Sequence, residues 1–168
     1  MKKNNIVKTV AVSLSVAAVL LSFLDCDLRS VGVSTSSGVT QRLIYHFFHA
    51  NVFHALANAW CLISIARFYD ITVRDIIIAY IIAVAVPPAV LSEQPTVGLS
   101  AFCFALMGIY APRVARKAYY HKWMAVFIAA GFILPAVNAL IHLYAYLAGV
   151  AAGYIRFHVR RSCLRQIK

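Results

Sequence analysis

Long apolar stretches, separated by short polar or basic segments, dominate the chain. An α-helix rises about 1.5 Å per residue and the core of a bilayer is about 30 Å thick, so an apolar stretch of roughly twenty residues can cross it. We therefore predict an all-α membrane protein whose residues 1–168 form one domain. Six transmembrane helices are predicted, at residues 6–24, 48–66, 75–92, 98–112, 123–137 and 138–157.

The fourth predicted helix, residues 98–112, is shorter than the others. At about 1.5 Å per residue it spans only about 22 Å, less than a bilayer core. Basic residues follow it from Arg113 onward and would lie at the inner surface. The helix would then begin below the outer surface, with Ser100 as its third residue, buried among other helices.

Charge placement predicts the orientation of the chain. The sequence is 62% hydrophobic and 12% charged, with a formal net charge of +11. With both termini in the cytoplasm, fourteen of the sixteen Lys and Arg residues lie inside, and only Arg29 and Arg42 lie outside. The basic excess is thus explained by topology and contact with anionic lipid headgroups, and binding to nucleic acid is disfavoured.

Three smaller features complete the predicted organisation. The basic, apolar N-terminus resembles a signal peptide, but its apolar run is long and "FLDC" lacks a typical cleavage site, so we interpret it as the first helix. Residues 25–43 are predicted to form an outer loop, and Pro87 and Pro88 to kink or end the third helix. The four cysteines fall one to a segment without CxxC spacing, so no disulfide framework is implied.

The second predicted helix carries a polar stripe in "HANVFHALANAW", where Asn51, His54 and Asn58 have i, i+3, i+7 spacing. One interpretation is that these groups join helices by hydrogen bonds. A second is that His54 and Asn58 donate hydrogen bonds to a developing negative charge. A third is metal or haem ligation by a histidine cluster, which the spacings and the lack of a nearby carboxylate disfavour. That cluster would comprise His46, His49 and His54.

Ser100 and His142 are the candidate chemical pair. Ser100 lies near the start of its helix, so its hydroxyl has no preceding turn to bond, and helix-start N–H groups can stabilise an oxyanion. Ala145, Gly149 and Gly153 form a small-residue ladder on the sixth helix, and His142 lies beside that face. The fourth helix offers a matching face, Ala101, Ala105 and Gly108. Packing of the two faces would bring serine and histidine together without an acidic partner, as a nucleophile and its base.

Several motifs in this order resemble the rhomboid intramembrane serine proteases. "HANVFHALANAW" resembles the family's HxxxxHxxxN pattern, "GLSAFCFALMGIY" its GxSG motif and "AYLAGVAAGY" its AHxxGxxxG stretch. The resemblance implies Ser100 as the nucleophile, with His54, Asn58 and Gly98 at the oxyanion site. It also implies supporting roles for His49, Phe104, Gly149 and Gly153.

The sequence departs from the family pattern at two positions. Ala101 replaces the glycine after the nucleophile, and Tyr146 occupies the position of the family's catalytic histidine, one turn after His142. Three explanations are open. The last helix is shifted or tilted by about a turn so that His142 is the base; the protein is an inactive rhomboid-like protein that binds transmembrane clients without cutting them; or His142 is only a helix-packing residue and the activity uses another, unrecognised group. Tyr146 could fill space or donate near the oxyanion, but its reference pKa of about 10 disfavours a role as base.

The function predicted from these observations is a serine endopeptidase of other membrane proteins. The resemblance implies single-pass transmembrane substrates with small or helix-breaking residues, and no metal or organic cofactor. A catalytically inactive client-binding protein is the alternative, and a transporter is disfavoured because no inverted repeat and no buried charge pair appears in the sequence. The expected location is the bilayer of a bacterial cytoplasmic membrane.

Overall fold

The computed structural model describes residues 2–134 and 137–166, and α-helices are its main elements. The all-helical part of the prediction is confirmed. Within the described residues the helices are α1 (Lys2–Leu21), α2 (Leu28–Val31), α3 (Val39–Ile44), α4 (Val52–Phe68), α5 (Val73–Val84), α6 (Ser100–Tyr110), α7 (Lys117–Ile133) and α8 (Ala139–Gln166).

The prediction of six transmembrane helices is wrong. Among the described residues, only the segment Ala139–Val159 of α8 is long and apolar enough to be a candidate span. The apolar helices Asn5–Leu21 and Val52–Phe68 are shorter than that criterion requires. Helices α5 and α6 have twelve and eleven residues, or roughly 16 to 18 Å. The cytoplasmic position of both termini was predicted from the distribution of Lys and Arg around six spans, and it loses its basis with that number.

Two prolines explain why α5 is shorter than predicted. α5 ends at Val84, before Pro87 and Pro88, and a 3₁₀ turn over Pro88–Val90 replaces the predicted helical end. Residues 85–99 then connect α5 to α6, so the short loop predicted between them is wrong. This connection also forms an isolated antiparallel bridge between Thr96 and Val33.

Two other predicted boundaries also differ from the structure. The predicted outer loop at residues 25–43 contains the short helices α2 and α3. α7 begins at Lys117, six residues earlier than predicted, and ends at Ile133. Residues 135 and 136 of the predicted fifth helix lie outside the described part of the chain.

Helix α6 forms the centre of the assembly. Seven of its residues are buried, among them Phe102, Leu106 and Ile109. Its small residues pack against α8, its other faces contact α4 and α5, and α1 packs on the outer side of α4. The Ser15 hydroxyl of α1 donates to the Ala59 carbonyl of α4 at 3.4 Å. Residues at the start of α6 are therefore held from several directions.

The buried carboxylate of Asp75 connects several elements near the C-terminal end of α6. Asp75 is fully buried and forms a capping box with Thr72 at the start of α5. Arg113 and Arg156 both form ion pairs with it, the former at 3.2 Å. Because Arg156 belongs to α8, this cluster ties the start of α5 to the distal part of α8.

Candidate active site

Ser100 and His142 are brought together by α6 and α8. The His142 Nε2 and Ser100 Oγ atoms are 2.7 Å apart. When the imidazole proton is on Nδ1, the serine hydroxyl donates to Nε2, which is the arrangement needed for removal of the serine proton. Ser100 is the first residue of α6, and not the third residue of its helix as predicted.

The small residues of α8 align it with α6 in a register that still allows contact between Ser100 and His142. A Cβ atom at Gly149 would lie 2.4 Å from the Ala105 carbonyl oxygen, and one at Gly153 would lie 2.5 Å from that of Ile109. Ser100 is five residues before Ala105, whereas His142 is seven before Gly149. The difference is about 3 Å of helix rise, which the length of an imidazole side chain can cover. The glycine alignment and the Ser100–His142 contact therefore coexist without a full-turn shift.

The Phe104 ring stacks on one face of the His142 ring. Their ring centroids are 4.6 Å apart and the planes are inclined by 22°, which is a stacked arrangement. Phe104 lies one turn after Ser100 on α6, so the same helix presents both the hydroxyl and the supporting ring. The stacking contact limits rotation of the imidazole away from Ser100.

His54, Asn58 and Gly98 converge beside the serine. Gly98 has a φ of +117°, a conformation that favours glycine. A Cβ atom there would lie 3.0 Å from the His54 Nε2 atom and 3.4 Å from the Asn58 Nδ2 atom. The Asn58 amide also donates to the His54 carbonyl at 3.1 Å, which leaves its second N–H available. These two side chains can therefore direct donors to one point near Ser100.

His49 supports the segment that leads into Ser100. Its Nε2 atom accepts a hydrogen bond from the Leu99 backbone N–H at 3.3 Å, and its ring lies 5.1 Å from that of His54. Asn51 is not part of a helical stripe as predicted. It is the N-cap of α4, and its side chain accepts from the His54 backbone N–H at 2.9 Å.

His46 lies apart from this site. It is 1% exposed, and neither of its ring nitrogens has a hydrogen-bond partner among the described residues. Burial lowers the pKa of His46 to about 3, opposed weakly by the nearby backbone of Arg42. Within the described residues, no three His, Cys, Asp or Glu side chains form a group that could hold a metal ion.

Tyr146 faces away from the serine and pairs with α7. Its hydroxyl lies 2.7 Å from the His121 Nδ1 atom. A Cβ atom at Gly108 would lie 2.3 Å from the Tyr146 backbone oxygen, so α6 passes closely over the backbone at this position. Tyr146 thus joins α8 to α7, and the hydrogen-bond partner of Ser100 is His142.

Three residues with polar contacts to or within α8 were not predicted from the sequence: His121, Asn138 and Tyr144. Asn138 is the one with a recognisable signal, because asparagine directly before a helix is a typical N-cap. Its Oδ1 atom accepts from the Ile141 N–H at 3.3 Å. The partners of the other two residues are 25 and 59 positions away in sequence, and no local pattern identifies them.

A cavity of about 710 Å³ opens beside the Ser100–His142 pair. Polar side chains in its wall include His54, Asn58, Ser64, Thr96, Ser100, Asn138 and His142. The rest of the wall is largely apolar and includes Trp60, Phe68, Met107, Phe127 and Leu134. A mostly apolar cavity with a few convergent polar groups can bind an apolar chain and orient one polar bond in it.

No protein-family model matches the chain, and neither does any curated protein or solved structure. The resemblance to rhomboid proteases therefore depends on the motifs of this sequence alone, and it stays a prediction. The geometry of Ser100, His142, His54, Asn58 and Gly98 is independent of that resemblance.

Proposed function

We propose that the protein is a serine endopeptidase that uses a Ser100–His142 dyad. The observation that carries the proposal is the 2.7 Å contact between Ser100 Oγ and His142 Nε2 at the edge of the cavity. A histidine within hydrogen-bonding distance of a serine is the arrangement that activates a hydroxyl nucleophile. The rhomboid resemblance supports Ser100 as the nucleophile, whereas His142 is assigned as the base from its contact with Ser100.

The reaction would proceed in two steps. His142 accepts the Ser100 proton while Oγ attacks the substrate carbonyl carbon, and the charge on the former carbonyl oxygen is stabilised by N–H donors of His54 and Asn58. The imidazolium then protonates the leaving amine, and an acyl-enzyme remains. Water, deprotonated by His142, then attacks the acyl carbon. The imidazolium returns that proton to Ser100 Oγ as the acyl C–O bond breaks, which releases the carboxylic acid product and restores the dyad.

Apolar substrates agree best with the surroundings of the dyad. The cavity wall is rich in aromatic and aliphatic side chains. Trp60 and Phe68 in this wall, and Phe53 and Ile133 elsewhere, are highly exposed. Exposed apolar patches of this kind are typical of membrane or partner contact. We propose an integral, multi-pass location in a bacterial cytoplasmic membrane, with single-pass transmembrane segments as substrates. Helix lengths do not support a count of six spans.

Labelling with a fluorophosphonate tests the dyad directly. The purified protein in detergent should be labelled at Ser100. Ser100→Ala should abolish the labelling because the nucleophile is gone, and His142→Ala should reduce the labelling rate by roughly three orders of magnitude. Ser64→Ala is the matched control, since Ser64 is another serine that lines the same cavity. Tyr146→Phe should also keep the labelling.

Two results would contradict this proposal. Labelling that survives in Ser100→Ala would mean that another residue reacts, and labelling that survives in His142→Ala would exclude His142 as the base. An unlabelled parent protein would favour the client-binding alternative, in which the cavity holds a transmembrane segment without cleaving it. Cleavage of a detergent-solubilised single-pass substrate, absent with Ser100→Ala, would establish the endopeptidase activity.

A further inference from the structure

The end of α5 presents backbone carbonyls that lack helical partners. Pro87 and Pro88 have no N–H groups, so they cannot donate to carbonyls of the preceding turn. Side chains from α3 and its C-terminal cap supply donors instead: the Tyr45 hydroxyl to the Ala83 oxygen at 2.9 Å, and the Arg42 guanidinium to the Val86 oxygen. We call the backbone oxygens of Ala83, Ala85, Val86 and Val90 the carbonyl ledge.

Helix α8 and the residue that caps its start supply two further donors to this ledge. The Asn138 Nδ2 atom donates to the Val90 oxygen at 3.2 Å, and the Tyr144 hydroxyl donates to the Ala85 oxygen at 3.0 Å. Asn138 lies four residues before His142, on nearly the same side of the helix, and Tyr144 lies two residues after it. Since successive residues are about 100° apart, Tyr144 points roughly opposite to His142. Contacts on opposite sides of α8 fix both its rotation and its axial position.

The ledge matters because His142 lacks an orienting carboxylate among the described residues. In Ser-His-Asp hydrolases the carboxylate holds the imidazole in its working orientation. Here the ring is held by stacking on Phe104 and by the contact with Ser100. The imidazole could still leave Ser100 if α8 as a whole moved. The two ledge contacts, which lie about one helical turn or less from His142, restrict that movement.

We propose that Asn138 and Tyr144 are positioning residues, which hold His142 at bonding distance from Ser100 by anchoring α8 to the carbonyl ledge. This inference rests on the proposed dyad. Small displacements of a catalytic group can lower a rate by large factors, up to about a hundredfold for 1 Å. Loss of one anchor should therefore reduce the chemical step while leaving ligand affinity almost unchanged.

Fluorophosphonate inactivation separates these two quantities, because it yields a maximal rate constant, kinact, and a concentration constant, KI. Asn138 lines the cavity, but its amide atoms are bonded to the Val90 oxygen and the Ile141 N–H. For Asn138→Ala we therefore expect kinact to fall about tenfold and KI to change much less. Asn138→Ser should behave alike, since serine can still cap α8 but is too short to reach the Val90 oxygen. Tyr144→Phe should lower kinact by roughly threefold, because one of the two anchors remains.

Tyr80→Phe is the matched control. The Tyr80 hydroxyl donates to the Leu43 carbonyl at 2.9 Å, a bond of the same kind that does not involve α8. Its kinact should equal that of the parent. Thermal unfolding is measured for each variant, so that a lower kinact at unchanged stability indicates lost positioning and not lost folding. Tyr144→Phe is the mildest change and the least expected to affect folding.

The possible outcomes separate the two proposals. If Asn138→Ser keeps the parental kinact, the residue acts only as a helix cap and the positioning role is excluded. Equal losses in Tyr144→Phe and Tyr80→Phe, or losses in KI alone, would also overturn it. If the parent protein is not labelled at all, both the dyad and the positioning role are overturned. If the parent is labelled and the variants have the parental kinact, only the positioning role of Asn138 and Tyr144 is overturned.

Discussion

Helices α6 and α7 both flank the cavity, but they are held in different ways. α6 is buried along most of its length, and α8 approaches so closely that backbone atoms of the two helices are in contact through Gly108, Gly149 and Gly153. α7 buries four residues and exposes large apolar ones, such as Ile133 at 84%.

The contacts of α7 with its neighbours include two polar ones near its first turns. The Tyr120 hydroxyl donates to the Met107 carbonyl at 2.9 Å, and His121 pairs with Tyr146. α6 is thus held by backbone contact and α7 by side-chain contacts, and the proposed enzyme requires this difference. The serine and its base need a fixed distance, and backbone contact gives the most rigid support. The cavity wall need only exclude water and admit a chain.

The largest expected effect is at the α6–α8 contact. Gly149→Ala adds a Cβ atom 2.4 Å from a backbone oxygen that cannot rotate away, so the helices must separate. We expect the free energy of unfolding to fall by about 3 kcal/mol or more. Thermal or denaturant unfolding in detergent measures the change. Gly38→Ala is the control, because a Cβ there meets only the end of the Gln41 side chain at 3.4 Å, and its effect should stay within about 0.5 kcal/mol.

If Gly149→Ala were as stable as Gly38→Ala, backbone contact would not be the feature that distinguishes α6 from α7. The Ser100–His142 distance would then have to be maintained by side-chain contacts alone. Fluorophosphonate labelling of the same variant adds a second reading, since separation of α6 and α8 should lower the labelling rate together with the stability.

The next effect in size concerns Asp75, which anchors α5 and α8 at the far end of the same core. Asp75→Asn removes the charge that Arg113 and Arg156 share. We expect a loss of about 2 to 3 kcal/mol, below the range for fully buried pairs, because the arginine side chains are 26% to 29% exposed. Asp70→Asn, an exposed change nearby, should have an effect within about 0.5 kcal/mol. Equal effects of the two substitutions would contradict an anchoring role for Asp75.

The α6–α8 side of the molecule could be predicted from sequence, because close packing leaves a local signature. Small residues at three- and four-residue spacing are required wherever two helix backbones touch, and Gly149 and Gly153 displayed that spacing. The same pattern placed Ser100 near His142. Gly98 was predicted on resemblance, and its positive φ explains the residue type.

Helix lengths and distant polar contacts could not be predicted in the same way. Hydropathy counts apolar residues but does not register where a helix ends, so Pro87 and Pro88 shortened α5 by more than the pattern suggested. The carbonyls left by that ending recruit donors such as Tyr144, 59 residues away from its acceptor. Tyr146 and His121 likewise meet only because α7 folds against α8. Such pairs follow from the assembled fold and leave no periodic signal.

The smallest expected effect is at the Tyr146–His121 contact of α7. Tyr146→Phe removes one hydrogen bond, worth about 1 kcal/mol, from a helix with few buried residues. The change should therefore appear as local opening: amide hydrogen exchange in the first turns of α7 should become roughly fivefold faster, whereas exchange in α6 stays the same. Tyr119→Phe, on the exposed side of α7, keeps its ring contact with Trp123 and should leave exchange unchanged. If exchange in α6 rose as much as in α7, the two helices would open as one unit, and the proposed separation between a fixed dyad and a loosely held cavity wall would be wrong.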